Sequence, residues 1–519
     1  MKKFISIFLA LVMIFSLTSI AFAKDGANTP AIVVRGMGEI LYEENEDGTR
    51  TQVFAPDAKG ILGAVTQLAP ALAMALVTDD YSKLGDSMTK LKELFMPISC
   101  NDDGTLKNNI VVEERPENVG NYPDVSDNSE WGIAYALADT IGAENTYFFT
   151  YVWTRSPISI ADDLNAYIEK VKAETGSDKV SLVACSMGGT ITMSYIQKYG
   201  TDSLKNVVMA STAFLGTEIV GKLFTKDLDI SLYDVLDYFG GFLGYDFAQS
   251  AFQIIKKALL QTSVSGSVDK FLDKLTIDLL DTLYSDVFTD TFVTMPGIWC
   301  LMPASYYEKA KKTLFPDGNE LTSIKTDVDY YMYNVQSNVE SLIHEAEAKG
   351  INFYVTASYM CSGIPLYNDN ESYTDNLIDL KYASGHATVA DYGKKVGAVD
   401  KADKVCKDGA HNHVSPDGVA DASTCILPEQ TWLIRNIGHM GYEYGKDTCG
   451  LLVYLLTSDE KVSIYSNEKY PQFVNVNEIT RNFENVEDNI SSSDSSFAQL
   501  LFDFIVKVFN CLLSLVKSI

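Results

Sequence analysis

One run, Lys179-Val180-Ser181-Leu182-Val183-Ala184-Cys185-Ser186-Met187-Gly188-Gly189-Thr190, narrows the possible folds of this 519-residue chain more than any other. A short apolar strand passes without a linker into two glycines and then into the helical pattern of Thr190 to Tyr199. A fully apolar strand feeding directly into a helix belongs in a parallel sheet covered on both faces. The serine stands at the apex of the turn. Small residues on either side, Ala184 and Gly188, let strand and helix pass close behind a strained backbone, as the G-x-S-x-G turn requires, with alanine at its first glycine. Ser186 is therefore the candidate nucleophile, and the Met187 backbone N–H a candidate donor to an oxyanion. A strand, a turn and a helix around an ordinary serine is the plain alternative.

The flanking sequence repeats the rhythm. Ala31-Ile32-Val33-Val34 reads as a buried strand opening into Arg35-Gly36-Met37-Gly38, whose Met37 N–H is the second candidate oxyanion donor. From Trp131 onward, helix Ile133 to Ile141 precedes strand Tyr147 to Tyr151, helix Ile160 to Thr175 precedes the Ser186 strand, and strand Asn206 to Ala210 follows its helix. This alternation predicts an α/β fold with a mostly parallel sheet and helices on both faces. Two stretches break it. Residues 39–130 read as an insertion with an apolar helix from Ile61 to Val77. Residues 216–345 carry helix-period patterns such as Val235 to Phe242, Phe252 to Leu260 and Val268 to Leu283, and lack strands until Asn352-Phe353-Tyr354-Val355. An insertion of that kind after the nucleophile predicts a large helical cap or lid, with a separately folded helical domain as the alternative.

The ends and the charge bound the setting. Lys2-Lys3, the apolar run Phe4 to Ile20 and Ala21-Phe22-Ala23 form the pattern of a secretory signal, so residues 1–23 are expected to be removed and the protein to be secreted, with cell-surface association open. Residues 24–490 then form the catalytic domain, 491–496 a serine-rich linker, and 497–519 an amphipathic helix with a wide apolar face. That helix suits a membrane interface, the body of the protein or a second copy. With 41 basic against 69 acidic residues the net charge is −28, which argues against nucleic acid as a partner. Of the eight cysteines, Cys406 and Cys425 are the most plausible pair, and Cys185 is expected to be a buried thiol. His411-Asn412-His413 is weak as a metal motif, and neither a metal nor a cofactor is expected.

A serine nucleophile needs a base, and the chain holds five histidines. His344 sits on a polar helix. His439 follows the strand-like Thr431-Trp432-Leu433-Ile434-Arg435 and precedes helix Asp447 to Leu456, where the base of such a sheet belongs; His386, His411 and His413 are the alternatives. The acid should lie between the preceding strand and His439. Asp417, in an Asp-Gly-Val turn, is preferred to Asp421.

These segments resemble the lecithin:cholesterol acyltransferase-like branch of the α/β-hydrolases, which includes bacterial lipases and phospholipases. Val34-Arg35-Gly36-Met37-Gly38 is similar to the family's oxyanion turn, with Arg35 in place of its proline. Tyr151-Val152-Trp153-Thr154-Arg155-Ser156-Pro157 resembles its tyrosine-aspartate-tryptophan-arginine box, with Val152 at the aspartate. Cys185-Ser186-Met187-Gly188-Gly189 follows at the family's spacing, with Cys185 at a position usually histidine. Met295-Pro296-Gly297 through Leu301-Met302-Pro303 looks like its lid segment, and Gly385-His386-Ala387-Thr388-Val389 imitates its acid turn with His386 at the acid. The resemblance implies an α/β-hydrolase fold and a serine esterase or lipase, or an O-acyltransferase, acting on a lipid-like ester. A peptidase or amidase on the same scaffold, or a non-catalytic surface protein that binds lipid or envelope polymer, are the competing readings.

Overall fold

The computed structural model describes residues 29–54, 92–113, 118–121, 132–228, 284–359, 373–391, 394–396, 412–439, 441, 445–477 and 480–486. In the first half run strands β1 (Ala31–Val34), β2 (Leu41–Glu44), β3 (Arg50–Phe54), β4 (Ile110–Val112), β5 (Thr146–Phe149), β6 (Val180–Ser186) and β7 (Leu204–Thr212). The second half contributes β8 (Asn352–Tyr359), β9 (Thr388–Val389), β10 (Ala420–Asp421), β11 (Thr431–Arg435), β12 (Phe473–Val476) and β13 (Phe483–Glu484). Eight of these make one sheet in the order β13-β12-β11-β8-β7-β6-β1-β5. Every neighbouring pair in it is parallel except β12 with β13.

The sheet is buried on both faces because its strands place apolar side chains on each of them. Ile32, Val34, Leu182 and Ala184 face one core, together with Ile160, Leu164 and Ile168 of helix α1 (Pro157–Thr175) and Ile191 and Tyr195 of helix α2 (Gly188–Tyr199). Ala31, Val33 and Val183 face the other, against Leu137 of helix Gly132–Ile141 and Leu451, Leu452 and Leu455 of helix Lys446–Thr457. Each such Val, Leu or Ile side chain contributes about 1.5–3 kcal/mol on leaving water, so the helices are fixed chiefly by this packing. Local chemistry sets their ends. Ser156 caps α1 by accepting from the Ile158 N–H at 3.2 Å, Pro157 opens it, and Gly176 closes it at φ 70°. Buried Asn206 on β7 donates to the Leu456 and Ser458 carbonyls at 2.7 and 2.9 Å, satisfying the end of helix Lys446–Thr457.

The described part of residues 39–130 contains a three-stranded antiparallel sheet, β3-β2-β4, that the sequence does not announce. Only Leu41 of β2 is buried and β3 is largely exposed, so no two-residue alternation marks these strands. The helix expected at Ile61 to Val77 lies outside the described residues. Between Thr212 and Asn352 the described residues hold helices and no strand, including α3 (Glu218–Thr225) and α4 (Ala304–Leu314). The helical patterns expected between Val235 and Leu283 fall outside them, as do residues 1–23 and 491–519 and the expected partner of Cys425, Cys406. Among the described residues no helix is long and apolar enough to cross a membrane.

Candidate active site

Ser186 ends β6 at φ 52°, in the left-handed region that a non-glycine residue avoids unless its surroundings impose it. They do so here by close approach. A Cβ on Gly188 would lie 2.2 Å from the Val34 carbonyl oxygen, one on Gly189 2.5 Å from Thr212 Cβ, and one on Gly36 2.5 Å from Ser186 Cβ. The elbow is thus wedged between the end of β1 and the end of β7, and glycine is required at all three positions. α2 begins directly behind the serine with Met187 as its N-cap, so the positive end of its dipole faces the hydroxyl. Among the described residues neither the Met37 nor the Met187 N–H enters a backbone hydrogen bond.

His439 comes to the serine from the loop after β11. Its Nε2 lies 2.9 Å from Ser186 Oγ, and its Nδ1 2.8 Å from Asp375 Oδ2. Asp375 is buried, and its other carboxylate oxygen accepts from the Leu377 and Ile378 N–H groups at 3.0 and 2.7 Å. The Asp375 carbonyl also accepts from the His439 N–H at 2.6 Å. With both carboxylate oxygens accepting, the imidazole proton of this pair sits on Nδ1. Nε2 is left to accept from the serine hydroxyl.

The acid position corrects the sequence reading. Asp417 is not beside His439: its Oδ1 accepts from Ser415 Oγ at 2.6 Å and from the Val419 N–H at 3.1 Å, and its Oδ2 from the Tyr359 hydroxyl at 3.1 Å, with Arg435 Nε at 3.4 Å. Since Tyr359 ends β8 and Arg435 ends β11, this carboxylate joins two strand ends. Asp421, the alternative, instead accepts from the Ser423 N–H at 2.8 Å and caps the short helix Ala422–Thr424. Asp375 does lie between β8 and His439, the expected interval, but far from the histidine in sequence. Its signal is the turn chemistry of Thr374-Asp375-Asn376, where the Thr374 hydroxyl and the Asp375 carboxylate take the following amides. Of the other histidines, His413 is buried with Nδ1 2.8 Å from Gln472 Oε1, His386 is at an exposed turn, and His344 lies on a helix near Glu340 and Glu347. His411 lies outside the described residues. Among the described residues no group of three or more His, Cys, Asp or Glu is placed to hold a metal ion.

A cavity of about 350 Å³ has Ser186, Met37 and Met187 in its wall. Its other walls come from α3, from residues 287–301 and from the turn that carries Asp375. Among the described residues that line it, Thr217 is the only polar side chain besides Ser186. That turn is tied to α3: Thr217 Oγ1 donates to the Leu377 carbonyl at 2.7 Å, and the Glu218 N–H donates to Asp379 Oδ2 at 2.7 Å. On the far side, Gly297 closes on the 151–157 segment, its N–H donating to the Thr154 carbonyl at 3.1 Å, and a Cβ there would meet the Trp153 carbonyl at 2.1 Å. The thiol of Cys100 under this segment is buried, which pushes its pKa up to about 11.

A parallel sheet with helices on both faces, a strained serine between strand and helix, and a histidine and carboxylate on later loops together make an α/β-hydrolase fold. A family model described as alpha/beta hydrolase fold matches residues 123–285, and fold and match support a hydrolase-type function. No curated protein matches the chain. A solved structure titled "The crystal structure of Tle4-Tli4 complex" is 10% identical and covers 83% of this chain and 98% of its own, with a TM-score of 0.31, too low to carry any argument.

Proposed function

We propose that this protein is an exported serine hydrolase of lipid-like carboxylic esters, similar to the lecithin:cholesterol acyltransferase-like branch. The observation that carries the reading is the Ser186–His439–Asp375 hydrogen-bond chain, whose serine opens on a cavity with a mostly apolar lining among the described residues. In this reading Ser186 Oγ attacks the ester carbonyl while His439 Nε2 takes its proton, and Asp375 stabilises the imidazolium. The oxyanion is held by the Met37 and Met187 N–H groups, each such donor being typically worth about 3 kcal/mol. As the tetrahedral intermediate collapses, His439 returns the proton to the departing alcohol, leaving an acyl-enzyme. Water, activated by the same imidazole, releases the acid; an alcohol in its place would make the enzyme an acyltransferase.

The cavity supports an acyl chain as the group bound. At the packing density of protein interiors, 350 Å³ holds roughly ten to fifteen methylene groups. The described helices between Thr212 and Asn352 act as its cap, and the apolar sequence pattern of residues 497–519 suits a membrane interface that brings the enzyme to its substrate. The test is labelling of the mature protein with a fluorophosphonate, the modified peptide being located by mass spectrometry. Labelling at Ser186 that is lost in Ser186→Ala, with turnover of acyl esters, is the expected result. A folded protein that takes no label, or one that cleaves peptides and not esters, would overturn the reading.

A further inference from the structure

The oxyanion turn is held from outside by a buried polar cluster that takes no part in the proton transfers of the triad. Tyr151 is buried and its hydroxyl donates to the Arg35 carbonyl at 2.6 Å. Arg35 Nε pairs with Glu39 Oε1 at 2.8 Å, closing the turn between them, and the Glu39 side chain is almost fully buried. The turn lies directly against the nucleophile, with Gly36 facing Ser186 and the Val34 and Arg35 carbonyls pressed on Gly188.

We propose that Tyr151, with the Arg35–Glu39 ion pair, is a positioning residue that aims the Met37 N–H at the oxyanion. Because a peptide unit is planar and trans, fixing the Arg35 carbonyl direction fixes the Gly36 N–H opposite to it. Only the two backbone torsions of Gly36 then separate the pinned unit from the Met37 N–H. Gly36 is glycine because Ser186 leaves no room for a Cβ, and glycine turns more freely than any other residue. A donor attached through such a hinge needs its preceding peptide held, and the Tyr151 hydroxyl and the Arg35–Glu39 clamp hold it from two sides. Burial raises the phenol pKa of Tyr151 well above the ordinary value, so the residue keeps the proton it donates. Its ring is stacked on Phe149 at 5.7 Å, so the hydroxyl is rigidly placed.

This inference rests on the serine-hydrolase reading, and the experiment separates the two. Tyr151→Phe keeps the stacked ring and removes only the O–H. A donor that acts on the oxyanion acts in the transition state, so kcat should fall roughly ten- to hundredfold while KM stays within about twofold. The affinity of an alkyl boronic acid, which forms a tetrahedral adduct on the serine, should fall by the same factor as kcat/KM. Should Tyr151→Phe fold poorly, Glu39→Gln loosens the same turn from its other end and is read in the same way. A folded variant with unchanged kcat, or one whose kcat falls without loss of boronic acid affinity, would overturn the positioning role and leave the hydrolase reading intact. A wild type without turnover or labelling would overturn both.

Discussion

Replacing Asp375 by asparagine separates the acid seen beside His439 from the one its sequence suggested. The Asp375 oxygen that takes the Leu377 and Ile378 N–H groups, at 3.0 and 2.7 Å, demands an acceptor. In Asp375→Asn the amide oxygen must therefore occupy that position, which turns the NH₂ toward His439 Nδ1, 2.8 Å away from the present Oδ2. The imidazole is then forced to accept at Nδ1 and carry its proton on Nε2, facing Ser186 Oγ at 2.9 Å, where it can no longer take the hydroxyl proton. A wrong tautomer of this kind costs about 10³–10⁴ in kcat, or roughly 4–5.5 kcal/mol of transition-state stabilisation. The shape is unchanged and the backbone bond from His439 N–H to the Asp375 carbonyl remains, so the thermal midpoint should move little. Asp417→Asn is the control. It removes a charge that accepts from Ser415, Val419 and Tyr359 and faces Arg435, so it should lower stability by about 1–3 kcal/mol and leave kcat within about threefold. The assay is kcat on a water-soluble acyl ester beside a denaturant melt. Loss of turnover in Asp417→Asn with full activity in Asp375→Asn would refute the reasoning.

Gly36→Ala places a methyl 2.5 Å from Ser186 Cβ, so Ser186 must shift; kcat should fall at least about a hundredfold while circular dichroism shows the fold retained. Acyl selectivity should follow the cavity: kcat/KM rises about fourfold per added methylene at about 0.8 kcal/mol each until the cavity is full, and Val220→Phe, filling its wall, should move that limit to shorter chains in an ester series. Burial keeps Cys100 protonated, with its pKa near 11, and raises that of Cys300 as well; since the thiolate is the reactive form, iodoacetamide at about pH 8 should leave both unmodified until the protein is unfolded, as read by peptide mapping. Deleting residues 491–519 should leave turnover of a soluble ester intact and weaken co-sedimentation with liposomes, and unchanged co-sedimentation would rule out the interfacial role.

What could be read from the chain alone depended on how local the cause was. The elbow shows itself in adjacent residues because its constraints are local: an apolar strand, small residues at Ala184 and Gly188, and a helix begun at once. His439 follows from the same rhythm, since the loop after β11 can be found by counting strands. The three strands β2, β3 and β4 escape because a small sheet with most of its surface in water imposes no alternation. The acid is harder for a different reason. Between β8 and β11 the chain offers several carboxylates in turns of nearly the same chemistry: Asp375 accepts from the Leu377 and Ile378 amides, Asp417 from the Val419 amide and Asp421 from the Ser423 amide. What distinguishes Asp375 is the second oxygen, which the turn does not use and which faces His439. The approach is fixed by the backbone, where the His439 N–H donates to the Asp375 carbonyl at 2.6 Å. Asp417 has its second oxygen taken by Tyr359 and Arg435 at the strand ends. The choice among equivalent turns is made by tertiary approach, by which loop the fold brings to the histidine, and the residues adjacent to each carboxylate do not record it.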